Sequence, residues 1–178
     1  MDRNKVVLVD ENDLAIEEMN KLKAHQKGKL HRAFSIFLFN ADGKMLIHQR
    51  AKHKYHGAGL WTNTCCSHPQ WGENIKEGAL ERLNFEMGIQ CDIQKVFSFI
   101  YNSPVENNLI EYEYDHVFIG YTNNRAKPNI DEVQNYQWIY PIQLQEDIQI
   151  HPYQYTFWFK KALPILLGKL QNNFYPYE

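Results

Sequence analysis

The sequence predicts an α+β or α/β fold, strands dominant, in one domain over residues 1–178. Three observations carry that expectation. RAFSIFLFN (Arg32–Asn40) is a nearly continuous apolar run, the pattern of a strand buried on both faces. NIKEGALERLNFEMGI (74–89) repeats Ile75, Ala79, Leu83 and Met87 at helical spacing and stops at Gly88. Further strand-like segments alternate with helical ones, with no repeat, low-complexity tract or Pro/Gly/Ser linker between them.

In chain order, KVVLVD (Lys5–Asp10) reads as a short strand. The stretch Asn20–His31 reads as a polar, basic loop, because its periodicity is weak. After the Arg32–Asn40 strand, ADGK forms a turn and MLIHQR (Met45–Arg50) its hairpin partner. Residues 51–61 form a glycine-containing loop with several cations. VFSFIYN (96–102) and IEYEYDHVFIGY (110–121) read as strands, the second with Glu111, Glu113 and Asp115 on one face. VQNYQWIY (133–140) is another strand, closed by Pro141. From Tyr153 onward the chain reads as helix, which Pro164 should kink or split.

Bulk properties exclude several classes. A hydrophobic share of 44% in 178 residues is enough for a real core. A net charge of −2 gives no global field toward nucleic acid or membrane. No apolar run approaches the roughly 18 residues of a membrane span, and the N-terminus lacks a signal-peptide core. A cytoplasmic protein is expected, without nucleic-acid or membrane partners, as a monomer or weak homodimer. Three cysteines, two of them adjacent, argue for reduced thiols rather than a disulfide framework.

The chemistry concentrates in a few places. Glu111 and Glu113 share a strand face, about 6–7 Å apart, and could hold one cation between them. Together with His25, His31 and His68 they make a mixed N/O set suited to a divalent metal. The plainer alternative is that both glutamates form the solvent face of an alternating strand. His48, His53, His56, His116 and His151 read as ordinary core or surface residues. Cys66 falls in a loop two positions before His68, where a nearby metal ligand or helix N-terminus would lower its thiol below the free value of about 8.5. Cys65 and Cys91 read as buried, inert thiols. Arg82 and Glu86, four apart on the helix, read as a surface ion pair or as two groups turned into a site. Two basic stretches, Lys21 to Arg32 and Arg50 to Lys54, could clamp a diphosphate.

LHRAFSIFLFN, WTNTCCSHP and EYEYD, in that order, resemble the type 1 isopentenyl-diphosphate Δ-isomerases, a branch of the Nudix superfamily. The likeness runs from about Lys21 to Trp158. The Nudix signature, G-x5-E-x7-R-E-U-x-E-E-x-G-U, lies over Ser67–Ile89 in eroded form. Ser67 stands for the first glycine, Glu81-Arg82 for the Arg-Glu pair and Phe85-Glu86 for the Glu-Glu pair, while Glu73, Leu83, Gly88 and Ile89 remain. The resemblance implies a mixed β-sheet sandwiched between helices. It implies interconversion of isopentenyl and dimethylallyl diphosphate, a step of isoprenoid biosynthesis. It implies Cys66, Glu113, Tyr101 and Trp158 as catalytic residues, and Lys21, Arg50, Lys54, Ser67 and Arg82 as substrate contacts. It implies His25, His31, His68, Glu111 and Glu113 as ligands of a divalent metal (Mn²⁺, Mg²⁺ or Zn²⁺), and Glu86 as a ligand of a second Mg²⁺ that bridges to the diphosphate. Two other readings are a Nudix pyrophosphohydrolase and a non-catalytic metal- or phosphate-binding module. The eroded glutamates speak against the first. The clustering of acid, thiol and aromatic speaks against the second.

Overall fold

The computed structural model describes residues 3–174. Its strands are β1 (Lys5–Val9), β2 (Ala15–Asn20), β3 (His31–Phe39), β4 (Met45–Arg50), β5 (Trp61–Thr62), β6 (Cys65–Ser67), β7 (Ile93–Val105), β8 (Leu109–Tyr121) and β9 (Val133–Ile139). Its helices are α1 (Lys21–Lys27), α2 (Ile75–Met87), α3 (Pro141–Ile150) and α4 (Phe157–Phe174). All the strands join one mixed sheet built around β3. On one edge β3 meets β8, in parallel, over its whole length. On the other it meets β1 at His31, β6 at Phe34–Ile36 and β4 at Leu38–Phe39, all antiparallel.

Helices cover both faces, as the apolar run in β3 requires. Phe34, Ile36 and Leu38 pack with Ala79, Leu83 and Met87 of α2 on one side. Phe37 and Phe39 pack with Phe159, Ala162, Leu163 and Leu166 of α4 on the other. Alternate residues of a strand face opposite ways, so a strand in mid-sheet needs apolar groups at nearly every position.

Four expectations change. The basic stretch after Asn20 is helix α1, not a loop. The Asn20 side chain accepts from the Lys23 N–H, and Gly28 closes the helix in the left-handed region at φ 56°. These two caps were the readable signal; only Ala24 and His25 are buried on it, too few to show as a stripe. The β3–β4 hairpin exists only at the turn, because β4 then leaves β3 to pair with β9 and β5. Pro164 does not split α4, which runs from Phe157 to Phe174 with the proline inside. Cys66 lies on a strand rather than in a loop, paired with Ser35. Strand β2 and helix α3 had no counterpart in the sequence reading. The expected disulfide-free state matches the three free cysteines.

His48 shows how burial shapes pH dependence. It is buried in β4, with Nδ1 3.0 Å from the Thr64 carbonyl oxygen. Burial, with help from the Arg50 charge, lowers its pKa from 6.5 to about 4. The ring is therefore neutral in the fold at pH values where the unfolded chain protonates it. The unfolded state takes up the extra proton, so stability falls as pH drops from about 6.5 toward 4, by about 3 kcal/mol for this side chain. His48→Asn keeps a donor for Thr64 and should flatten that part of a urea-midpoint profile.

Candidate active site

Strand register assembles the site. Tyr101 pairs with Glu113 across β7 and β8, and Glu113 pairs with His31 across β8 and β3. Paired residues share a face, so these three form one lateral row. Two same-face positions further along β3, about 13 Å on, Ser35 pairs with Cys66 on one side and Val117 on the other. Cys66 and Glu113 thus come from opposite flanks of β3 and line the same cavity of about 310 Å³. Glu111 (2% exposed) and Glu113 (7%) are buried, so the solvent-face alternative is excluded.

Helix α1 brings the imidazoles together. Lys21 opens it and His25 follows one turn later, with Nδ1 2.7 Å from the Lys21 carbonyl oxygen. Nδ1 of His31 lies 2.8 Å from the Lys29 carbonyl oxygen. A carbonyl only accepts, so both rings carry their proton on Nδ1 and present a lone pair at Nε2. Both Nε2 atoms are buried without a hydrogen-bond partner among the described residues. One ligand atom each from His25, His31, His68 and Glu113 lie within 4.8 Å of one another. His25, His56 and Glu111 make a second such group. Buried lone pairs converging on a carboxylate are an arrangement that a cation satisfies. The residues fit a divalent metal.

Glu113 is held from several sides. Its Oε1 lies 3.0 Å from His68 Nε2 and 3.4 Å from His31 Nε2, and its Oε2 accepts from the Tyr101 hydroxyl at 2.6 Å. Burial pushes this carboxyl up, but the two imidazoles beside it, His31 and His68, outweigh burial and hold the group well below the ordinary carboxylate range. Burial pushes Glu111 up, and the charge of Glu113 adds to it. The Cys66 thiol is raised, not lowered as its neighbourhood in the sequence suggested. Burial dominates, and the Arg50 guanidinium, 4.0 Å away at Nη1, opposes it without prevailing.

The cations form two walls. Arg82 donates to Glu86 at 2.7 Å and to Glu132 at 3.1 Å, and Lys54 donates to the other Glu132 oxygen. Lys21 lines the cavity beside them, its pKa lowered by burial and then by the Lys54 charge. Burial raises Glu86 against the pull of Arg82. Ser67 also lines the cavity. Arg50 spends several donors inside the protein: on the Gly57 carbonyl at 3.1 Å, the His56 carbonyl at 3.1 Å and the Cys66 sulfur. Its guanidinium carbon stands 5.1 Å from the Trp158 ring centroid, and Trp158 is fixed by its own N–H to Asn63.

The structure thus gathers every candidate named from sequence around one cavity. His25 and His31 sit behind its wall with the His68 and Glu113 ligand atoms. The other lysines of α1, Lys23 and Lys27, point to solvent, and Arg32 bonds Asp13. Two site residues were missed. His56 lies in a glycine loop with no periodicity to mark it. Glu132 enters the site only because β9 pairs with β4.

A NUDIX domain model matches residues 29–159. "Isopentenyl-diphosphate Delta-isomerase 2" of Photorhabdus laumondii is 51% identical over 89% of this chain and 89% of its own length. "Isopentenyl-diphosphate Delta-isomerase 1" of Aromatoleum aromaticum is 44% identical over 90% of each. The chain belongs to the isopentenyl-diphosphate Delta-isomerase branch of the NUDIX family. Solved structures of a Deinococcus radiodurans protein (TM-score 0.68, 18% identity, 82% of this chain and 89% of that one) and of the MutT protein of Methanosarcina mazei (0.65, 16%, 81% and 95%) share the fold.

Within this NUDIX fold the eroded signature has a structural reading. Glu73, which it retains, does not line the cavity; it binds Arg3, which does, at 2.6 Å. Glu81 also binds Arg3. Of the positions for signature glutamates, only that of Glu86 puts a carboxylate on the cavity; Phe85 lines it with a ring.

Between the two rows of site residues lies Asp115, opposite Ala33. It is 1% exposed; Oδ2 accepts from Ser35 Oγ at 2.8 Å and Oδ1 has no partner among the described residues. Burial, then the Glu113 charge, raise it from 3.8 to about 8. The unfolded chain ionises above about 4 and the folded one only above about 8, so stability falls as pH rises between those values. Asp115→Asn should therefore stabilise the chelator-treated protein by about 2–4 kcal/mol at pH 7 and by much less at pH 4. Denaturant midpoints at the two pH values check this.

Proposed function

We propose that this protein interconverts isopentenyl and dimethylallyl diphosphate, supplying a five-carbon unit for isoprenoid biosynthesis. The observation that carries the reading is the placement of a thiol and a carboxylate on opposite flanks of one strand, facing one cavity. Double-bond migration asks for that pair. An unactivated alkene must take a proton at C4, giving a tertiary cation at C3, and must lose a proton from C2 as the C2–H electrons form the new double bond. One acid and one base are needed on different sides of a flat fragment.

Glu113, with the Tyr101 hydroxyl bonded to it, delivers the proton to C4, and Cys66 as thiolate removes the one at C2. In the reverse direction the roles exchange. The pair shares one proton, and in the free protein it rests on sulfur: burial keeps the thiol protonated and the imidazoles keep Glu113 ionised. That is the form ready for the reverse direction; before each forward turnover the proton must pass from sulfur to Glu113, by exchange with water.

Trp158 offers its ring to the cation, a contact of about 2 kcal/mol when desolvated. Lys21, Arg50, Lys54, Ser67 and Arg82 hold the diphosphate, which keeps an allylic cation from losing its leaving group and supplies binding energy away from the reacting carbons. His25, His31, His68, Glu111 and Glu113 would hold one divalent cation (Mn²⁺, Mg²⁺ or Zn²⁺). Glu86 would hold a Mg²⁺ shared with the diphosphate, a usual arrangement of one carboxylate plus substrate phosphates. Bound there, these cations supply fixed positive charge that orients Glu113 and neutralises the diphosphate.

In D₂O with Mg²⁺, NMR of isopentenyl diphosphate incubated with the protein should show deuterium entering the methyl group derived from C4. A product without that label overturns the scheme. Cys66→Ala should lower turnover by roughly 10²–10⁴-fold or more and leave folding and diphosphate affinity nearly unchanged; an undiminished rate removes Cys66 from the mechanism.

A further inference from the structure

Four buried histidines have an Nε2 without a hydrogen-bond partner among the described residues, and three of them, His25, His31 and His56, belong to the two candidate metal-ligand groups. The other ring nitrogen tells them apart. For His25 and His31 it faces a carbonyl oxygen, which places the proton on Nδ1 and the lone pair on Nε2. For His56 the neighbour at Nδ1 is Arg50 Nη2, 3.3 Å away. A guanidinium has donors only, so here Nδ1 accepts and the proton stands on Nε2. That nitrogen has no lone pair to give a cation. It lies 3.0 Å from Glu111 Oε1, within hydrogen-bond distance, with the N–H aimed off the line between them. The second Glu111 oxygen is buried with no partner among the described residues.

We propose that His56 is a positioning residue for Glu111: its Nε2–H holds Oε1, which leaves Oε2 presented to the divalent cation of the His/Glu site. The inference rests on the metal reading above. A metal-binding carboxylate held by a donor in this way is oriented before the cation arrives. The local backbone keeps the ring in place. Arg50 donates to the carbonyls of both His56 and Gly57, and the Gly57 N–H donates to Glu106. Gly57 takes φ 58°, and a Cβ there would come within 3.2 Å of Arg50 Nε. Arg50 thus sets the His56 tautomer and clamps the turn that carries it.

The test is Mn²⁺ binding to chelator-stripped protein, read by competition with a fluorescent chelator. His56→Ala should weaken affinity about 10–100-fold. His56→Gln places an amide N–H near the position of Nε2 and should recover most of the loss. In a Glu111→Ala background the His56→Ala loss should vanish, since the effect runs through that carboxylate. X-ray absorption of the Co²⁺-loaded protein should count the same number of imidazoles in wild type and His56→Ala. Unchanged affinity in His56→Ala overturns the proposal. So does one imidazole fewer combined with failure of His56→Gln, which would make His56 a ligand. Wild-type protein that binds no Mn²⁺ removes the metal reading beneath it.

Discussion

Strand β8 runs parallel to β3 with His31 beside Glu113, and the site depends on that register. A slip of one residue would turn Glu111, Glu113 and Asp115 onto the α2 face and bring Tyr112 and Tyr114 into their place. The register is held because both strands are buried on both sides. Phe34, Ile36, Leu38 and Phe118 fill one core, and Phe37, Phe39 and Val117 the other. Apolar packing at one end of β3 therefore fixes where polar groups stand at the other.

Those polar groups are costly to bury, and the protein manages this by division. The imidazoles, Glu111 and Glu113 gather at one end, where unpartnered lone pairs call for a cation. Lys54, Arg82, Glu86 and Glu132 bond one another on a second wall, so positive charge is kept near the cavity without being left unpaired. Cys66 and Trp158 lie between, with Arg50 touching both. The cavity thus has one end of metal-ligand type, a wall of paired charges and, between them, a thiol and an aromatic ring bridged by a guanidinium.

The segment that carries the signature in the NUDIX family keeps an apolar packing face here and lacks half of the signature glutamates, with Arg82 and Phe85 in their places. Ala79, Leu83 and Met87 still seat α2 against the sheet. Glu73 and Glu81 are engaged by Arg3 at the edge of the cavity and do not line it themselves. Fold and chemistry are thus carried by different residues of one segment, so the fold can persist while the reaction changes.

Local order alone determined much of this protein. The apolar run of β3, the period of α2 and the alternation in β8 fixed the sheet, its main helix and the face shared by Glu111 and Glu113. Motif resemblance marked Cys66, His68 and the other site residues. Tertiary structure decided the rest, because the forces concerned act between segments distant in sequence. Whether Glu111 and Glu113 met solvent or interior depended on what covered β8. The thiol of Cys66 was raised by burial that no neighbour in the chain foretold. His56 looked ordinary in its loop until Arg50 and Glu111 closed on its two ring nitrogens. Glu132 reached the cavity through a pairing of β9 with β4 across more than eighty residues of chain. Helix α1 was within reach, through Asn20 and Gly28, but its short buried face left too little hydrophobic period to announce it.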